Sequence, residues 1–258
     1  MERLGETRPK GLTSASLRTW GIVLIAAGII GRCILQNTIL GIGGATTQQM
    51  LEVLSASSDS MMIAAVALIL QGLEACAVPI FALLLAEGFV YTKNWKQFLL
   101  RVAVMAVVNE IPYDLAMNGK VLDMSAQNPS LGLVLAMAVL YLCSRFSQPT
   151  ASHRFTKVIV LAAAIVWAEM LKIDHGTPLV MLSAVFYLMR SRSNLRGLAA
   201  AGVAMLCTII SPFYIAASMG CLLAHLYNGE QGESNRLVNY LAYPVILLAV
   251  FFAGRYLI

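Results

Sequence analysis

Long apolar stretches follow one another along this chain, separated by short polar connections. An α-helix needs about 20 apolar residues to cross the hydrocarbon core of a bilayer, so the pattern predicts a series of membrane-spanning helices. Ser211-Pro212 interrupts the seventh stretch, which is either one long kinked helix or two short helices in a hairpin. The fold class predicted is all-α, a polytopic helical membrane protein with about eight or nine transmembrane helices. The predicted spans are 19–40, 61–91, 98–111, 131–146, 155–171, 178–189, 197–226 and 237–257.

The composition supports a membrane protein. Of the 258 residues, 59% are hydrophobic and only 12% are charged, whereas soluble domains carry roughly 25% charged residues. The chain could not cover a water-exposed surface, which argues against soluble enzymes and nucleic-acid-binding modules. We therefore expect the lipid bilayer as a partner and no nucleic acid. Residues 1–17 are predicted to form a polar cytoplasmic tail, and 18–258 a single transmembrane helical domain.

Connections rich in lysine and arginine alternate along the chain with connections that have almost none. The tail up to Arg18 contributes four basic residues, and the 91–101, 145–157 and 190–196 loops contribute three each. Thirteen basic residues thus lie on one side, against Lys120 and Lys172 on the other. Basic residues accumulate in cytoplasmic loops, so the pattern predicts a multi-pass protein of the cell membrane with a cytoplasmic N-terminus.

The same alternation bears on the long run 61–91. Its two flanking loops are predicted on opposite sides of the membrane, so this run should cross once. Pro79 lies inside it and removes a helical hydrogen bond, which predicts a bend near that residue.

Ionisable residues inside predicted spans are the candidates for chemistry. A charge in hydrocarbon is costly and usually faces a partner or a cavity. Arg32 and Glu74 could form a structural clamp or face a ligand, and both readings stay open. Glu87, near the cytoplasmic end, could pair with Lys93 or Arg101. We expect one polar cavity in the outer half of the membrane, formed by Arg32, Glu74, Glu110, Asp114, Asp174 and His175.

Two short segments carry most of these residues. Pro112 disfavours helix at the residue before it, so the third span is predicted to end there. That break would place Glu110, Tyr113 and Asp114 around irregular backbone at the membrane edge. Farther along, the neighbouring Asp174 and His175 combine an orienting carboxylate with a group that transfers protons near neutral pH. No metal site is predicted.

A set of short motifs occurs in a fixed order over about residues 70–250. The set resembles that of the TraX family of multi-pass membrane proteins, whose named member is associated with N-terminal acetylation of conjugative F-pilin. The resemblance implies an acyltransferase of the bacterial inner membrane that acts on a peptide amine or an envelope glycan. The residues themselves indicate no cofactor; the resemblance implies acyl-CoA as a candidate donor. The motifs are Pro79-Ile80-Phe81, Glu87-Gly88-Phe89, Thr92-Lys93-Asn94, Glu110-Ile111-Pro112-Tyr113-Asp114-Leu115-Ala116, Gln127-Asn128, Asp174-His175-Gly176, Tyr227-Asn228-Gly229 and Tyr243-Pro244.

Under this hypothesis His175 is the catalytic base and Asp174 orients it. The candidate substrate-binding residues are Arg32, Glu74, Glu110, Tyr113, Asp114 and Asn128.

The chain also departs from the family pattern. Members usually carry an Asp-His pair in the first span, where this chain has Gly-Ile-Ile-Gly-Arg-Cys at 28–33. They often carry a histidine where this chain has Ile246, and a tyrosine where it has His175. A second hypothesis therefore stands beside the enzyme: a non-catalytic membrane protein of the same family, either a small transporter or a partner subunit of a larger complex.

Overall fold

A computed structural model describes residues 11–233 and 235–256, and within those ranges the chain is helical with no β-strand. The first ten residues of the predicted tail, with Arg3, Arg8 and Lys10, lie outside the described residues. The helices are α1 (Ser14–Ile29), α2 (Thr47–Ala56), α3 (Ser58–Ala75), α4 (Ala77–Tyr91), α5 (Trp95–Asn118), α6 (Pro129–Arg145), α7 (Ala151–Met170), α8 (Gly176–Leu188), α9 (Ser193–Leu206), α10 (Tyr214–His225) and α11 (Arg236–Tyr256).

Four helical segments are long and apolar enough to cross a membrane: Ser14–Ile39, Ser58–Tyr91, Ala151–Met170 and Leu237–Tyr256. The first of them joins α1 to a π-helix, Ile30–Ile39, that continues it. The all-α class is thus confirmed, while the count of eight or nine transmembrane helices stays a prediction. The bundle also contains the longer helix α5 and four shorter apolar helices: Pro129–Arg145, Gly176–Leu188, Leu195–Ile209 and Tyr214–His225.

The long segment Ser58–Tyr91 is interrupted at Cys76, between α3 and α4. Pro79 explains the position, because its ring meets the carbonyl four residues earlier, at Ala75, and supplies no N–H to it. The backbone at Cys76 stays helical (φ −65°, ψ −21°), and α3 and α4 make few contacts with each other. The segment therefore continues in one direction across the bundle and does not fold into a hairpin.

Helix α5 corrects the prediction that the third span ends at Pro112. The helix runs through this proline to Asn118 and ends where Gly119 adopts a left-handed φ of 66°. Proline is tolerated inside membrane helices when neighbouring groups satisfy the backbone it frees. The carbonyl that Pro112 frees is that of Val108, four residues earlier. Within the same turn as Val108, Asn128 Nδ2 donates to the carbonyl oxygen of Ala106 at 2.9 Å and ties this part of α5 to the connection before α6. The backbone around Pro112 is therefore helical and not irregular.

The stretch 197–226 is a hairpin of two short helices, one of the two alternatives left open by the sequence. Helix α9 passes into a 3₁₀ turn, Cys207–Ile209, and the chain reverses around Ser211-Pro212 before α10 begins. A Cβ atom placed on Gly197 would lie 3.0 Å from Nδ1 of His225, so the start of α9 lies against the end of α10.

The ends of the bundle agree with the alternation of basic residues. At one end the N–H of Leu12 donates to the carbonyl of Leu226 (2.8 Å), and the N–H of Asn228 donates to that of Leu12 (3.0 Å). At the other end Asn37 Nδ2 donates to the carbonyl of Met117 at 3.1 Å. The hairpin thus returns residues 226–228 to the end that holds the start of the chain's described part, while the cytoplasmic orientation itself stays a prediction.

Glu87 pairs with a different partner from those predicted. Its Oε1 lies 3.0 Å from Nη1 of Arg196, so Glu87 pairs with Arg196 and not with Lys93 or Arg101. The hairpin explains the difference, because α10 packs on both α4 and α9, and the Arg196 side chain at the start of α9 reaches Glu87. Such a partner is remote in sequence and could not be read from the neighbouring residues.

Helix α8 lies at the centre of the fold. It is apolar on all sides, as expected of a helix with no face toward solvent, and it packs against α4, α6, α7 and α9. The first residue of α8, Gly176, follows directly on Asp174 and His175. The most enclosed helix of the protein therefore holds these two residues at its N-terminal end.

Candidate functional site

The short connection between α7 and α8 has unusual backbone geometry. Lys172 (φ 52°) and His175 (φ 54°) are the two non-glycine residues with left-handed backbone in the described ranges. The Gln127 N–H donates to the carbonyl of Lys172, and the Asp174 N–H donates to that of Gln127, both at 2.9 Å. Left-handed backbone outside glycine is uncommon and costs about 1–3 kcal/mol, and it concentrates at functional sites. These contacts fix the directions of the Asp174 and His175 side chains.

Arg32 pairs with two carboxylates from other helices. Its Nη1 lies 2.8 Å from Oδ2 of Asp174, and its Nη2 lies 3.4 Å from Oε2 of Glu74. The π-helix Ile30–Ile39 carries Arg32; π-helical turns are rare and often occur at functional sites. Gly28, one turn earlier, makes room for the pair, because a Cβ atom there would overlap the Glu74 carboxylate.

A tyrosine of α5 extends the ion pair. The hydroxyl of Tyr113 donates to Oδ2 of Asp174 at 3.0 Å, so that oxygen accepts from both a guanidinium and a phenol. Tyr243 of α11 packs against the buried cluster that contains Tyr113. Asp174 is therefore held as a charged acceptor by groups from separate helices.

His175 uses its two ring nitrogens differently. Nδ1 lies 2.7 Å from the hydroxyl of Tyr214. Nε2 lies 3.8 Å from Oε1 of Glu74 and 3.8 Å from Oδ1 of Asp174, and it has no hydrogen-bond partner within the described residues. We call Arg32, Glu74, Tyr113, Asp174, His175 and Tyr214 the Arg32 cluster.

The Arg32 cluster has more carboxylates than permanently cationic groups. Two carboxylates face one guanidinium, so the cluster has one excess negative charge while His175 is neutral and none once His175 is protonated. Glu74 is almost fully enclosed, with 7% of its side chain exposed, whereas Arg32 and Asp174 retain 26% and 20%. The cluster is therefore accessible beside Arg32 and Asp174. A proton taken up by His175 cancels the excess negative charge of the cluster.

Glu110 and Asn128, two predicted substrate-binding residues, contact each other. The Asn128 Nδ2 donates to Oε2 of Glu110, and the Asn128 backbone N–H lies 3.4 Å from the same oxygen. Asn128 is fully buried and its Oδ1 accepts from the N–H of Ser130 at 2.9 Å, which caps α6. The recorded contacts give these residues a role in joining α5 to α6.

Asp114, also a predicted substrate-binding residue, anchors the following loop. Its Oδ2 accepts from the N–H of Asp123 at 2.8 Å, and only 1% of the residue is exposed. The Asp123 carboxyl in turn accepts hydrogen bonds from Lys120 and Ser125, and these lower its pKa to about 2. Asp114 therefore holds the 119–128 loop on the end of α5.

The structure brings together four of the six residues predicted to share one cavity, namely Arg32, Glu74, Asp174 and His175. Glu110 and Asp114 make the separate contacts described above. Tyr113, predicted to bind substrate, belongs to the Arg32 cluster. Tyr214 was not predicted, and the available signal was the Ser211-Pro212 break, which places this tyrosine at the start of a new helix.

Metal binding is not indicated. In the ranges 11–233 and 235–256, no group of three or more His, Cys, Asp or Glu residues is arranged to hold a metal ion.

Comparison with known proteins identifies a family. A family model described as TraX protein matches residues 60–253, about three quarters of the chain. Glu74, Tyr113, Asp174, His175 and Tyr214 lie within the matched region, and Arg32 precedes it. No curated protein and no solved structure matches the chain.

Proposed function

This chain belongs to the TraX family, and on that premise we propose that it is a membrane acyltransferase. It would move an acyl group from a thioester donor such as acyl-CoA to a peptide amine or an envelope glycan hydroxyl. The observation that carries the proposal is the arrangement around His175. One ring nitrogen meets a phenol at 2.7 Å, and the other faces two carboxylates at 3.8 Å.

Acyl transfer to an amine or a hydroxyl requires a base. The attacking nitrogen or oxygen must lose a proton as it bonds to the acyl carbon, and histidine suits this role near neutral pH. When His175 takes up that proton, the imidazolium faces Glu74 and Asp174, whose charges stabilise it. Asp174 thus keeps its predicted role as an orienter, and Glu74 shares it.

Arg32 contributes indirectly to this chemistry. Its guanidinium faces Glu74 and Asp174, so it holds the two carboxylates in place around His175. We therefore assign it to positioning these groups, in contrast to the predicted role of binding a ligand.

The donor and the acceptor would reach the site from different directions. The cluster is exposed beside Arg32 and Asp174, at the end predicted to face outward, which suits an acceptor from the cell envelope. Helix α10 links this region to the end predicted to be cytoplasmic: its 12 residues span about 18 Å at 1.5 Å each. A cytoplasmic thioester would have to extend over that distance along the hairpin.

The test is acyl transfer by the purified protein in proteoliposomes. Labelled acyl-CoA is supplied with a peptide bearing a free N-terminal amine, or with an envelope glycan, and product is measured by mass spectrometry. His175→Gln should lower the rate by roughly 10²–10⁴-fold, the range for loss of a general base. His153→Gln should leave the rate unchanged, because His153 packs on Phe146 near the start of α7, at the opposite end of that helix from the connection that carries His175. Equal rates in wild type and a folded His175→Gln protein would overturn the assignment.

The non-catalytic alternative rests on one specific observation. Arg32 already pairs with both carboxylates, as a structural clamp between helices would. A transporter or partner subunit of this kind would give substrate uptake, or a co-purifying protein, without acyl product from any donor. That result would replace the enzyme with the second hypothesis.

A further inference from the structure

The position of the proton on His175 follows from its surroundings. Nε2 faces Oε1 of Glu74 and Oδ1 of Asp174, and a lone pair directed at two anionic oxygens would be repelled by both. A hydrogen on Nε2 is attracted by the same oxygens. The neutral ring therefore carries its hydrogen on Nε2, and its basic lone pair is on Nδ1.

That lone pair is directed at the hydroxyl of Tyr214. The 2.7 Å separation is a short hydrogen bond, in which the phenol donates and Nδ1 accepts. Tyr214 is 5% exposed, and its ring meets the imidazole edge to face at a centroid distance of 5.7 Å. The tip of the α9–α10 hairpin supplies this residue, immediately after the turn at Pro212. The nitrogen that would act as base is thus covered by a phenol held in a fixed orientation.

We propose that Tyr214 is a proton-relay residue, through which His175 receives the proton of the acyl acceptor. This inference rests on the proposed acyltransferase function and adds a residue to it. The Tyr214 hydroxyl occupies the hydrogen-bonding direction of Nδ1, so a proton passed to this nitrogen has to come through the phenol oxygen. Three other groups face His175: Glu74 from α3, Arg32 from the π-helix, and Asp174, the residue before His175. Their contacts with the ring involve Nε2 and not Nδ1.

The relay conserves every proton. As the acceptor nitrogen or oxygen bonds to the carbonyl carbon of the thioester, its proton moves to the Tyr214 oxygen, and the Tyr214 proton moves to Nδ1. The carbon–sulfur bond then breaks, and the thiolate takes a proton back by the reverse route. His175 and Tyr214 end in their starting states, with a thiol and an acylated acceptor as products.

The first test does not depend on catalysis. ¹⁵N-histidine NMR of the full chain in lipid nanodiscs reports which ring nitrogen carries hydrogen, with His175 assigned by comparison with His175→Gln. We expect hydrogen on Nε2 in the wild type and a shift of the Nδ1 resonance in Tyr214→Phe, which loses the hydrogen bond. Hydrogen on Nδ1, or a resonance that Tyr214→Phe leaves unchanged, would overturn the relay.

The second test uses the acyl-transfer assay. Tyr214→Phe should lower kcat by roughly 100-fold at unchanged KM, whereas Tyr256→Phe, in an exposed tyrosine near the end of α11, should change neither. If Tyr214→Phe fails to fold, 3-fluorotyrosine at position 214, a more acidic phenol of nearly the same size, should move the kcat profile to lower pH. A profile that stays in place would contradict the relay. Absence of acyl product in every protein, together with the expected NMR result, would instead refute the proposed function.

Discussion

Replacing Arg32 with methionine should lower the free energy of unfolding by about 2–4 kcal/mol. Methionine keeps much of the volume and removes the charge, so Glu74 and Asp174 lose their guanidinium partner. Removing one member of a buried ion pair typically costs about 3–5 kcal/mol, because an uncompensated charge remains. The expected value is lower here, since Arg32 and Asp174 are partly exposed and Asp174 keeps its hydrogen bond from Tyr113.

The matched control is Lys120→Met. Lys120 pairs with Asp123 at 2.9 Å, but 68% of its side chain is exposed, and exposed pairs contribute about 0–1 kcal/mol. Equilibrium unfolding of both proteins, in the same lipid–detergent mixture and with matched lipid content, gives the two differences directly. The triple variant Arg32→Met/Glu74→Gln/Asp174→Asn should recover part of the loss, because it removes the unpaired charges as well.

Two outcomes would refute this reasoning. Arg32→Met could prove as stable as Lys120→Met, which would mean that the ion pairs do not contribute to the fold. The triple variant could also be no more stable than the single one, which would mean that the arginine stabilises by packing and not by charge.

Gly28→Ala should destabilise the protein by about 1–3 kcal/mol, because the new Cβ would overlap the Glu74 carboxylate. The control is Gly202→Ala, whose Cβ meets no atom within 4 Å and which should be neutral or stabilising by up to about 1 kcal/mol. Denaturation midpoints of the two variants measure the difference, and coincident midpoints would contradict the close approach of α1 and α3. In intact cells and a background without native cysteines, an impermeant maleimide should label Ser57→Cys and leave Lys93→Cys unlabelled. The opposite labelling would reverse the predicted orientation.

The helical elements were largely predictable, because the length of an apolar run decides whether a helix can cross a bilayer. Prolines were harder to interpret. Pro79 interrupts its segment as predicted, while α5 continues through the buried Pro112, in a helix that packs on α6 and α11. The effect of a proline depends on groups distant in sequence. For the same reason Ser211-Pro212 indicated a break without deciding between a kink and a hairpin.

Within the candidate site, charge was informative and neutral groups were not. A buried charge must find a partner, so depth and charge alone pointed to Arg32 and Glu74, while Asp174 was also marked by its motif with His175. Tyr214 escaped prediction because a tyrosine in an apolar stretch is compatible with simple packing. Asp114 lies at the predicted end of α5, yet the backbone of the 119–128 loop reaches it, and no pattern in the sequence reveals which loop amide folds back.

The two partners of Arg32 lie at very different distances along the chain, and this difference orders events during synthesis. Glu74 follows Arg32 by 42 residues and Asp174 by 142. At roughly 5–20 residues per second, the first carboxylate emerges about 2–8 s after the arginine, and the second about 7–28 s after it. Because α1 and its π-helical extension pack directly on α3, these segments can enter the bilayer as an electrically neutral pair. The second carboxylate, which gives the Arg32 cluster its excess negative charge, then arrives late, at a cation that has already been neutralised.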